Sequence, residues 1–382
     1  MAGIYIHIPF CKSRCIYCAF YSTTAASERQ RYVDALCHEM ALRGTKNAET
    51  IETIYLGGGT PSQLSPEQLQ QIFTSLYNIY KVSPKAEITI ECNPDDVTNE
   101  YATTLSQLGI NRVSMGAQTF DDQRLQFLHR RHSAAQVRTA VERLRQADID
   151  NISVDLMYGF PNETLDDWQH DIDAVLSLDV EHISAYCLMI EEGTVLYEQM
   201  RNEKQEMSSE EWEMRNEGAE ELEQKMYETL IDSLTAAGYE HYEISNFARP
   251  GRRSRHNSSY WTDVPYIGLG AAAHSYDGHR RRWNVSDLWK YMKGIEDEAP
   301  AFEEEVIDGD TRYNDRLTVA LRTCEGISLD ELSEQHRDYL LRSASRYMDD
   351  GLLIYADDHL RLSRKGLFVS DMVLADLMIV DD

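Results

Sequence analysis

The feature that most constrains the fold is a regular alternation of short β-rich runs and longer helical runs over the first two-thirds of the chain. The predicted strands are rich in Ile, Val and Tyr, and they span residues 3–8, 53–57, 87–92, 112–116, 153–157 and 182–188. Helical patterns lie between them, near residues 28–43, 66–80, 98–108, 134–147 and 165–178, and a long one covers 209–237. Six β/α units in a row predict an α/β fold, with a parallel sheet and helices on its outer face.

Either a barrel-like sheet or an open doubly wound sheet fits this alternation, and in both of them ligands bind at the C-terminal ends of the strands. The pattern stops at Arg249-Pro250-Gly251, and a polar, aromatic loop region is predicted from there to about Trp289. Beyond residue 300, helices are predicted near 311–323, 328–335 and 336–349. Two strand-like runs at 352–355 and 360–362 and a last helix from Lys365 follow. Helices followed by a small hairpin predict a winged-helix-like C-terminal α+β domain.

Charge and cysteine content narrow the class of protein. The 382 residues include 37 Lys and Arg against 65 Asp and Glu, a net charge of −28 that repels nucleic acid. No apolar run approaches the roughly 18 residues of a membrane-spanning helix, and the start of the chain lacks a signal-peptide pattern. Seven cysteines, only three of them close together, are a poor disulfide framework. We therefore expect a cytoplasmic protein whose clustered thiols are metal ligands or catalytic groups.

The strongest motif is Cys11-Lys-Ser-Arg-Cys15-Ile-Tyr-Cys18, a C-x3-C-x2-C spacing directly after the first predicted strand. Structural zinc sites usually need four ligands, often as two C-x2-C pairs, and the other four cysteines are scattered singly. Three thiolates on a 4Fe–4S cluster leave one iron free to hold a small molecule. The spacing resembles the signature of radical S-adenosylmethionine (SAM) proteins, in which that iron chelates SAM and the cluster supplies an electron that cleaves it.

The same resemblance implies a SAM site at the ends of successive strands. The turn Gly57-Gly58-Gly59-Thr60-Pro61 ends the second predicted strand, and its backbone can come close to a ligand because glycine has no side chain. In radical SAM proteins a turn of this kind contacts the methionine group of SAM, and a carboxylate such as Glu91 accepts hydrogen bonds from its ribose or amino group. The resemblance assigns Cys11, Cys15 and Cys18 to the cluster and Tyr5, Tyr17, Gly58, Gly59, Thr60, Glu91, Gln118, Arg130 and Asp155 to SAM.

Four longer segments are similar to the oxygen-independent coproporphyrinogen III oxidase family, and the similarity covers nearly the whole chain. It implies a radical SAM partial (β/α)6 barrel, with a radical SAM core at 1–245, a connecting segment at 246–300 and a C-terminal helical, winged-helix-like domain at 301–382. The segments are Tyr5-Ile-His7-Ile-Pro9-Phe10-Cys11, Gly57-Gly-Gly-Thr-Pro61, Asp155-Leu-Met-Tyr-Gly-Phe-Pro161 and Tyr242-Glu-Ile-Ser-Asn-Phe-Ala248.

Within that family the chain most resembles the HemW branch, which comprises radical SAM-type heme chaperones. His256-Asn257-Ser-Ser-Tyr260-Trp261 matches the branch motif H-N-x-x-Y-W, which is associated there with heme binding. The oxidase has an extra cysteine where this chain has Phe20, and an N-terminal extension of which only a few residues are present here. Ala19 departs from the Asp that the branch usually shows.

The motif also has a chemical interpretation. A neutral imidazole is a good axial ligand for heme iron, so His256 is the candidate heme contact, and Tyr260 and Trp261 can pack against a porphyrin face. Nearby arginines either pair with heme propionates or are solvated loop charges. They are Arg249, Arg252, Arg253, Arg255, Arg280, Arg281 and Arg282.

Two hypotheses follow for the function. In the first, the protein is a chaperone that binds a 4Fe–4S cluster and SAM, carries heme as cargo and hands it to hemoproteins such as membrane-bound respiratory cytochromes. The branch also suggests a homodimer. In the second, the protein is a radical SAM oxidoreductase that decarboxylates the propionates of a porphyrinogen. An intact SAM site suits both hypotheses, so the sequence leaves enzymatic activity open.

Overall fold

A computed structural model describes residues 2–44, 49–206 and 218–380. Its centre is a sheet of six parallel strands, whose side chains alternate between an apolar outer face and a polar inner face. The strands follow one another in chain order across the sheet. A doubly wound sheet would reverse that order at a switch point, so the topology is that of the expected partial barrel. The strands are β1 Ala2–Ile8, β2 Ile51–Gly58, β3 Val82–Cys92, β4 Arg112–Gln118, β5 Asn151–Tyr158 and β6 His182–Cys187.

Helices connect these strands and bury their apolar faces against the outside of the sheet. They begin where the sequence supplies capping residues. For example, the Ser65 side chain accepts a hydrogen bond from the backbone N–H of Gln68, and the Gln68 side chain accepts one from the backbone N–H of Ser65. Pro66 occupies the first turn of the same helix. The helices are α1 Arg29–Gly44, α2 Pro66–Ile79, α3 Asn99–Gln107, α4 Asp122–Phe127, α5 Ala134–Gln146 and α6 Leu165–Leu176.

The described part of the long helix expected at 209–237 is confirmed, and a further helix precedes it. The structure has α7 at Val195–Glu206 and α8 at Ala219–Ala236, and residues 209–217 of the predicted helix lie outside the described residues. The sequence analysis missed α7. Leu196 is the one buried residue that the structure describes in it, so this helix lacks the apolar stripe by which helices are predicted.

The segment after Arg249 is not the loop region that was predicted. The sheet continues on both sides of the barrel strands. Beyond β6 lies the hairpin β7 Glu240–Glu243 and β8 Asn246–Ala248, and beyond β1 lie β9 Tyr266–Leu269, β10 His274–Tyr276, β11 Arg280–Asn284 and β12 Phe302–Val306. Two helices, α9 Arg255–Trp261 and α10 Leu288–Glu296, interrupt this segment. These strands are too short to show alternation, and β9 forms because the edge of β1 offers a parallel partner.

The C-terminal region has its own hydrophobic core, which includes Leu317, Leu340 and Leu360. Its elements are α11 Gly309–Ala320, β13 Ile327–Ser328, α12 Glu334–Asp349, β14 Leu353–Ala356, β15 His359–Leu362, α13 Arg364–Leu367 and α14 Ser370–Leu377. A small sheet in the order β13–β15–β14 packs with the helices in a winged-helix-like order. The helix expected at 328–335 is wrong, because that stretch holds a 3-10 turn and Ser333 caps the helix that follows.

The main core runs from β1 to α10, so the segment 246–300 packs with the barrel. The domain boundaries at 245 and 300 stay predictions. Among the described residues, no helix is both long and apolar enough to cross a membrane.

Candidate functional site

A cavity of about 590 Å³ opens at the C-terminal ends of the parallel strands and reaches into the barrel. We call it the barrel cavity. Eleven of the residues expected to hold the cluster and SAM line it together: Cys11, Cys15, Tyr17, Cys18, Gly58, Gly59, Thr60, Glu91, Gln118, Arg130 and Asp155. Parallel strands bring their C-terminal ends to one edge of the sheet, so residues more than a hundred positions apart meet here.

The cysteine loop leaves β1 and is held at its base by backbone hydrogen bonds between Thr23 and both Pro9 and Cys11. All three thiols are free and half-buried. The Thr60 hydroxyl lies 3.4 Å from the Cys11 sulfur, and an Arg130 Nη atom lies 3.6 Å from the Cys15 sulfur. Polar donors beside the sulfurs suit thiolates, which carry negative charge.

These thiols fit an iron–sulfur cluster better than a single ion. Within the described residues, no three His, Cys, Asp or Glu side chains converge closely enough to hold one metal ion. A cluster of four irons and four sulfides is wider than one ion, and its ligands stand correspondingly further apart. Three free thiols around one cavity match that requirement, and they would leave the fourth iron without a cysteine ligand.

The glycine turn at the end of β2 requires glycine for steric reasons. Gly58 has φ +112°, and a Cβ there would lie 2.5 Å from the His7 ring. A Cβ on Gly59 would lie 2.8 Å from the carbonyl carbon of Pro9. Because neither position admits a side chain, the backbone of this turn is exposed to the cavity, where it can contact a ligand.

Glu91 and Asp155 place two half-buried carboxyl groups on the cavity wall. Glu91 accepts hydrogen bonds from the Tyr55 hydroxyl (2.9 Å) and the Gly58 N–H (3.0 Å), and Ser114 donates to Asp155 at 3.3 Å. Burial raises the pKa of Glu91 to about 7 and that of Asp155 to about 6. Neither forms an ion pair with a described residue, so both are suited to a cationic ligand such as SAM.

Arg130 and Gln118 also line the cavity. An Arg130 Nη atom donates to the Asn93 side chain at 2.8 Å and to the Gly116 carbonyl at 2.5 Å, which fixes the guanidinium beside Cys15. Gln118 has φ +69° at an irregularity in the pairing of β4 with β5. A strained backbone at a cavity wall is typical of binding sites.

The sequence analysis missed the polar floor of the cavity. Arg112, Ser114, Ser153, Ser184 and Tyr186 line it from three neighbouring strands. Arg112 is 1 % exposed, and its Nε is buried with no hydrogen-bond partner in the described part of the chain. The sequence does contain a pattern that predicts these residues. Polar residues recur at every second position within apolar strands, which indicates that one face of the sheet is polar.

Tyr5, the remaining residue expected to bind SAM, does not line the barrel cavity. Its ring stacks against Tyr55 with centroids 6.3 Å apart, and its hydroxyl lies 3.0 Å from His7 Nδ1. Tyr5 therefore supports Tyr55, which is itself hydrogen-bonded to Glu91.

Helix α9, which carries the H-N-x-x-Y-W motif, closes the opposite end of the barrel. Its first turn is held by Glu87, whose carboxylate accepts the backbone N–H groups of Arg255 (3.1 Å) and His256 (2.9 Å). Asn257, the next residue, reaches the barrel cavity from below. One face of the motif helix thus forms the bottom of the barrel.

His256 is buried in that closure. Its Nδ1 lies 2.9 Å from the Thr53 hydroxyl, its Nε2 lies 2.8 Å from the Tyr260 hydroxyl, and its ring stacks on Tyr55. Burial lowers the pKa of His256 to about 3, so the ring is neutral. A neutral imidazole is what iron requires, but both nitrogens already have partners. Iron could bind Nε2 only if Tyr260 moved away.

Five of the seven arginines around the motif pair with carboxylates. They are Arg249, Arg253, Arg255, Arg280 and Arg281.

Comparison with known proteins agrees with this geometry. Residues 5–175 match the radical SAM superfamily, and residues 307–369 match the HemN C-terminal domain. The solved structure of coproporphyrinogen III oxidase (HemN) from Escherichia coli shares the fold, with a TM-score of 0.82 and 20 % identity over 99 % of this chain and 90 % of that one.

Curated relatives match at higher identity. The heme chaperone HemW of Bacillus subtilis is 34 % identical over 98 % of both chains, and the Mycobacterium tuberculosis H37Rv protein of the same name is 33 % identical over 98 % of this chain and 94 % of its own. A bovine mitochondrial radical S-adenosyl methionine domain-containing protein is 28 % identical over 99 % of this chain. The curated relatives and the superfamily match agree with the cavity that the cysteine loop lines, and they show that the chain belongs to the HemW family of radical SAM proteins.

Proposed function

We propose that the protein is a heme chaperone that binds a 4Fe–4S cluster and SAM in the barrel cavity, binds heme as cargo and transfers it to hemoproteins. The observation that carries this proposal is the helix α9, because the heme-associated motif closes the same barrel whose open end holds the cysteine loop. The names of the curated relatives support the cargo. The cysteines are free, and thiols are kept reduced in the cytoplasm, so we place the protein there.

The residues of the barrel cavity divide the binding between them. Cys11, Cys15 and Cys18 would hold the cluster, which when bound supplies an open iron and one electron. The turn at Gly58 and Gly59 would present its backbone to the methionine end of SAM, and Thr60 would steady the Cys11 sulfur. Tyr17, Gln118 and Arg130 would line the site, while Glu91 and Asp155 would face the positive charge of SAM.

His256 is needed for heme binding in this proposal, and because its ring is buried it can act in only two ways. The segment from His256 to Trp261 must either open to expose Nε2 or act on heme through Tyr260.

Heme binding tests the proposal directly. The protein is reconstituted anaerobically, hemin is added, and the Soret band is followed for the wild type and His256→Ala. We expect stoichiometric binding that is lost or strongly weakened in the variant. His279→Ala is the control, because His279 is exposed and lies outside both the motif and the barrel cavity. Absence of specific binding to the wild type would overturn the chaperone proposal.

Recipients and oligomeric state extend the same proposal. Membrane-bound hemoproteins such as respiratory cytochromes are the proposed recipients, and a homodimer is the proposed assembly. The open sheet edge β12 carries three consecutive glutamates between Phe302 and Val306. Glu304 and Glu305 pair with Arg280 and Arg281, but charged side chains on an edge strand still disfavour edge-to-edge pairing, so a dimer would use another surface. Light scattering of the reconstituted protein, and transfer of heme to an apo-cytochrome, test these two points.

A second candidate function is radical oxidation of a porphyrinogen. Arg112 favours it, because a buried guanidinium with an unpartnered Nε inside the barrel suits a substrate carboxylate such as a propionate. Anaerobic incubation with coproporphyrinogen, a reductant and SAM would then yield protoporphyrinogen. A yield no higher than that of cluster-free protein would rule this function out.

A further inference from the structure

A second cavity, of about 910 Å³, lies on the far side of helix α9 from the barrel cavity. We call it the outer cavity. Tyr260 and Trp261 of the motif form part of one wall, and α11, β13 and His359 of β15 form the other. The motif helix therefore separates two cavities: Asn257 faces the barrel cavity, and Tyr260 and Trp261 face the outer one. The volume falls within the range of small-molecule sites, roughly 300–1,000 Å³.

The wall of the outer cavity that includes Tyr260 and Trp261 is aromatic. Tyr260 packs edge-on against Tyr266, with centroids 4.7 Å apart, and Trp261 lies 5.8 Å from Tyr242. All four rings line the outer cavity. Neighbouring aromatic rings favour a flat, apolar ligand, because stacking and burial of its faces are both favourable.

Two arginines on the opposite wall compete for one carboxylate. Arg312 and Arg316, one turn apart on α11, both contact Asp263, at 3.5 and 3.2 Å. Arg312 also donates to the Gly278 carbonyl at 2.6 Å and lies 3.3 Å from the Tyr276 hydroxyl, and Arg316 donates to the Glu331 carbonyl at 2.8 Å. The Nε of Arg316 is buried and has no partner among the described residues. The other arginines of the cavity, Arg253 and Arg281, each pair with two carboxylates.

The carboxylates Asp263, Asp315, Glu325 and Glu331 also line the cavity, so its formal charge is balanced overall. Arg312 and Arg316 share one carboxylate and otherwise donate to neutral oxygens, so they carry the least compensated positive charge among the arginines of this cavity. Two such guanidinium groups are suited to ligand carboxylates.

His359 supplies a metal-binding group on the same wall. Its Nδ1 lies 2.8 Å from the backbone carbonyl of Asp357, and a carbonyl can only accept, so Nδ1 carries the proton. Nε2 is then the nitrogen with the free lone pair. Histidines that bind metals usually donate their second N–H to a carbonyl or carboxylate in this way. His256 lacks this freedom, because both of its nitrogens have partners.

We propose that the outer cavity is the heme site, with His359 as the axial ligand of the iron and Arg312 and Arg316 as the partners of the propionates. The inference rests on the proposed function, because it places the cargo of that function. His256 is then a positioning residue. Its hydrogen bond holds Tyr260, and thereby the aromatic wall, in place against the heme.

Hemin titration of the cluster-reconstituted full-length protein tests the iron ligand. We expect His359→Ala to weaken binding by roughly tenfold or more and to lose the spectrum of histidine-ligated heme, with added imidazole restoring it. His256→Gln, which can still hydrogen-bond to Tyr260, should keep that spectrum. His279→Ala serves as the matched control, and thermal unfolding confirms that each variant is folded.

The outcomes separate the two proposals. If wild-type protein binds no heme, the chaperone function itself fails and this site fails with it. If wild-type protein binds heme, His359→Ala binds it unchanged and His256→Gln loses the histidine-ligated spectrum, the function stands and the outer cavity is wrong.

The propionate partners have an independent test in heme dimethyl ester, whose carboxylates are capped. We expect Arg316→Gln to weaken hemin binding by roughly tenfold and to leave ester binding unchanged, since the ester has no charge for the guanidinium to meet. Equal losses for hemin and ester would show that Arg316 does not contact the propionates, and would overturn that assignment.

Discussion

The upper end of the barrel, where the strands end, and the lower end, which α9 closes, bury similar polar groups but satisfy them differently. At the lower end, Glu87 accepts two backbone N–H groups, and both nitrogens of His256 have hydrogen-bond partners. At the upper end, Glu91 is partly buried and forms no ion pair with a described residue, and the charges of Arg112 and Arg130 only partly offset the burial of Asp155. The comparison teaches that burial alone does not identify a ligand site. Buried groups that still lack a counter-charge do.

The two ends are also connected. Tyr55 stacks on His256 below and donates a hydrogen bond to Glu91 above. Tyr55 thus links Glu91 to the His256 ring, which in turn holds Tyr260.

The largest expected effect comes from the cysteine loop at the upper end. Cys15→Ala should abolish stable cluster binding, because two thiolates leave the cluster under-coordinated. Iron and sulfide analysis of reconstituted protein measures this. Cys324→Ala is the control, because that thiol is exposed and lies outside the barrel cavity. A full iron and sulfide content in Cys15→Ala would show that the cysteine loop at the upper end does not hold the cluster as proposed.

A smaller effect is expected from the closure at the lower end. Glu87→Ala leaves two backbone N–H groups without an acceptor and should lower the free energy of unfolding by about 2–4 kcal/mol. Glu87→Gln keeps one carbonyl oxygen and should cost about half as much. Urea unfolding followed by circular dichroism gives both values. If Glu87→Ala proves as stable as the wild type, the lower end is not held by hydrogen bonds as described.

The smallest effect is a pH dependence at the upper end. The pKa of Glu91 is raised to about 7, so below that pH the group is neutral and no longer attracts a cation. SAM affinity should therefore fall by up to about tenfold for each pH unit below that pKa. Asp155, with a pKa raised to about 6, would add to the fall at lower pH.

Equilibrium dialysis of cluster-containing protein measures this dependence. In Glu91→Gln, affinity should be low and nearly flat between pH values of about 8 and about 6.5, because the titrating group is gone. A slope as steep as that of the wild type would assign the dependence to another group.

Much of the upper end could be predicted from the sequence. The β/α alternation implied a parallel sheet, and strand ends in such a sheet meet at one edge, so Cys15, Glu91 and Asp155 could be expected to lie together. The spacing of the three cysteines within one short loop carried the metal chemistry, because all three ligands are local in sequence.

The position of His256 could not be predicted in this way. Its partner Thr53 is 203 residues away and Glu87, which holds its backbone, is 169 residues away. The motif identified the residue as important, but no local pattern shows that its ring is buried and doubly hydrogen-bonded. Strand β9 was missed for the same reason, because it exists only through pairing with β1.

The sequence by itself thus determined the order of elements, the cysteine loop and the strand-end residues, because short-range periodicity and spacing specify them. Only the tertiary structure decided that α9 closes the barrel and separates two cavities. It also decided that His359, rather than His256, has a free ring nitrogen. Those features depend on contacts between residues far apart in the chain, and such contacts are set by the packing of the whole molecule.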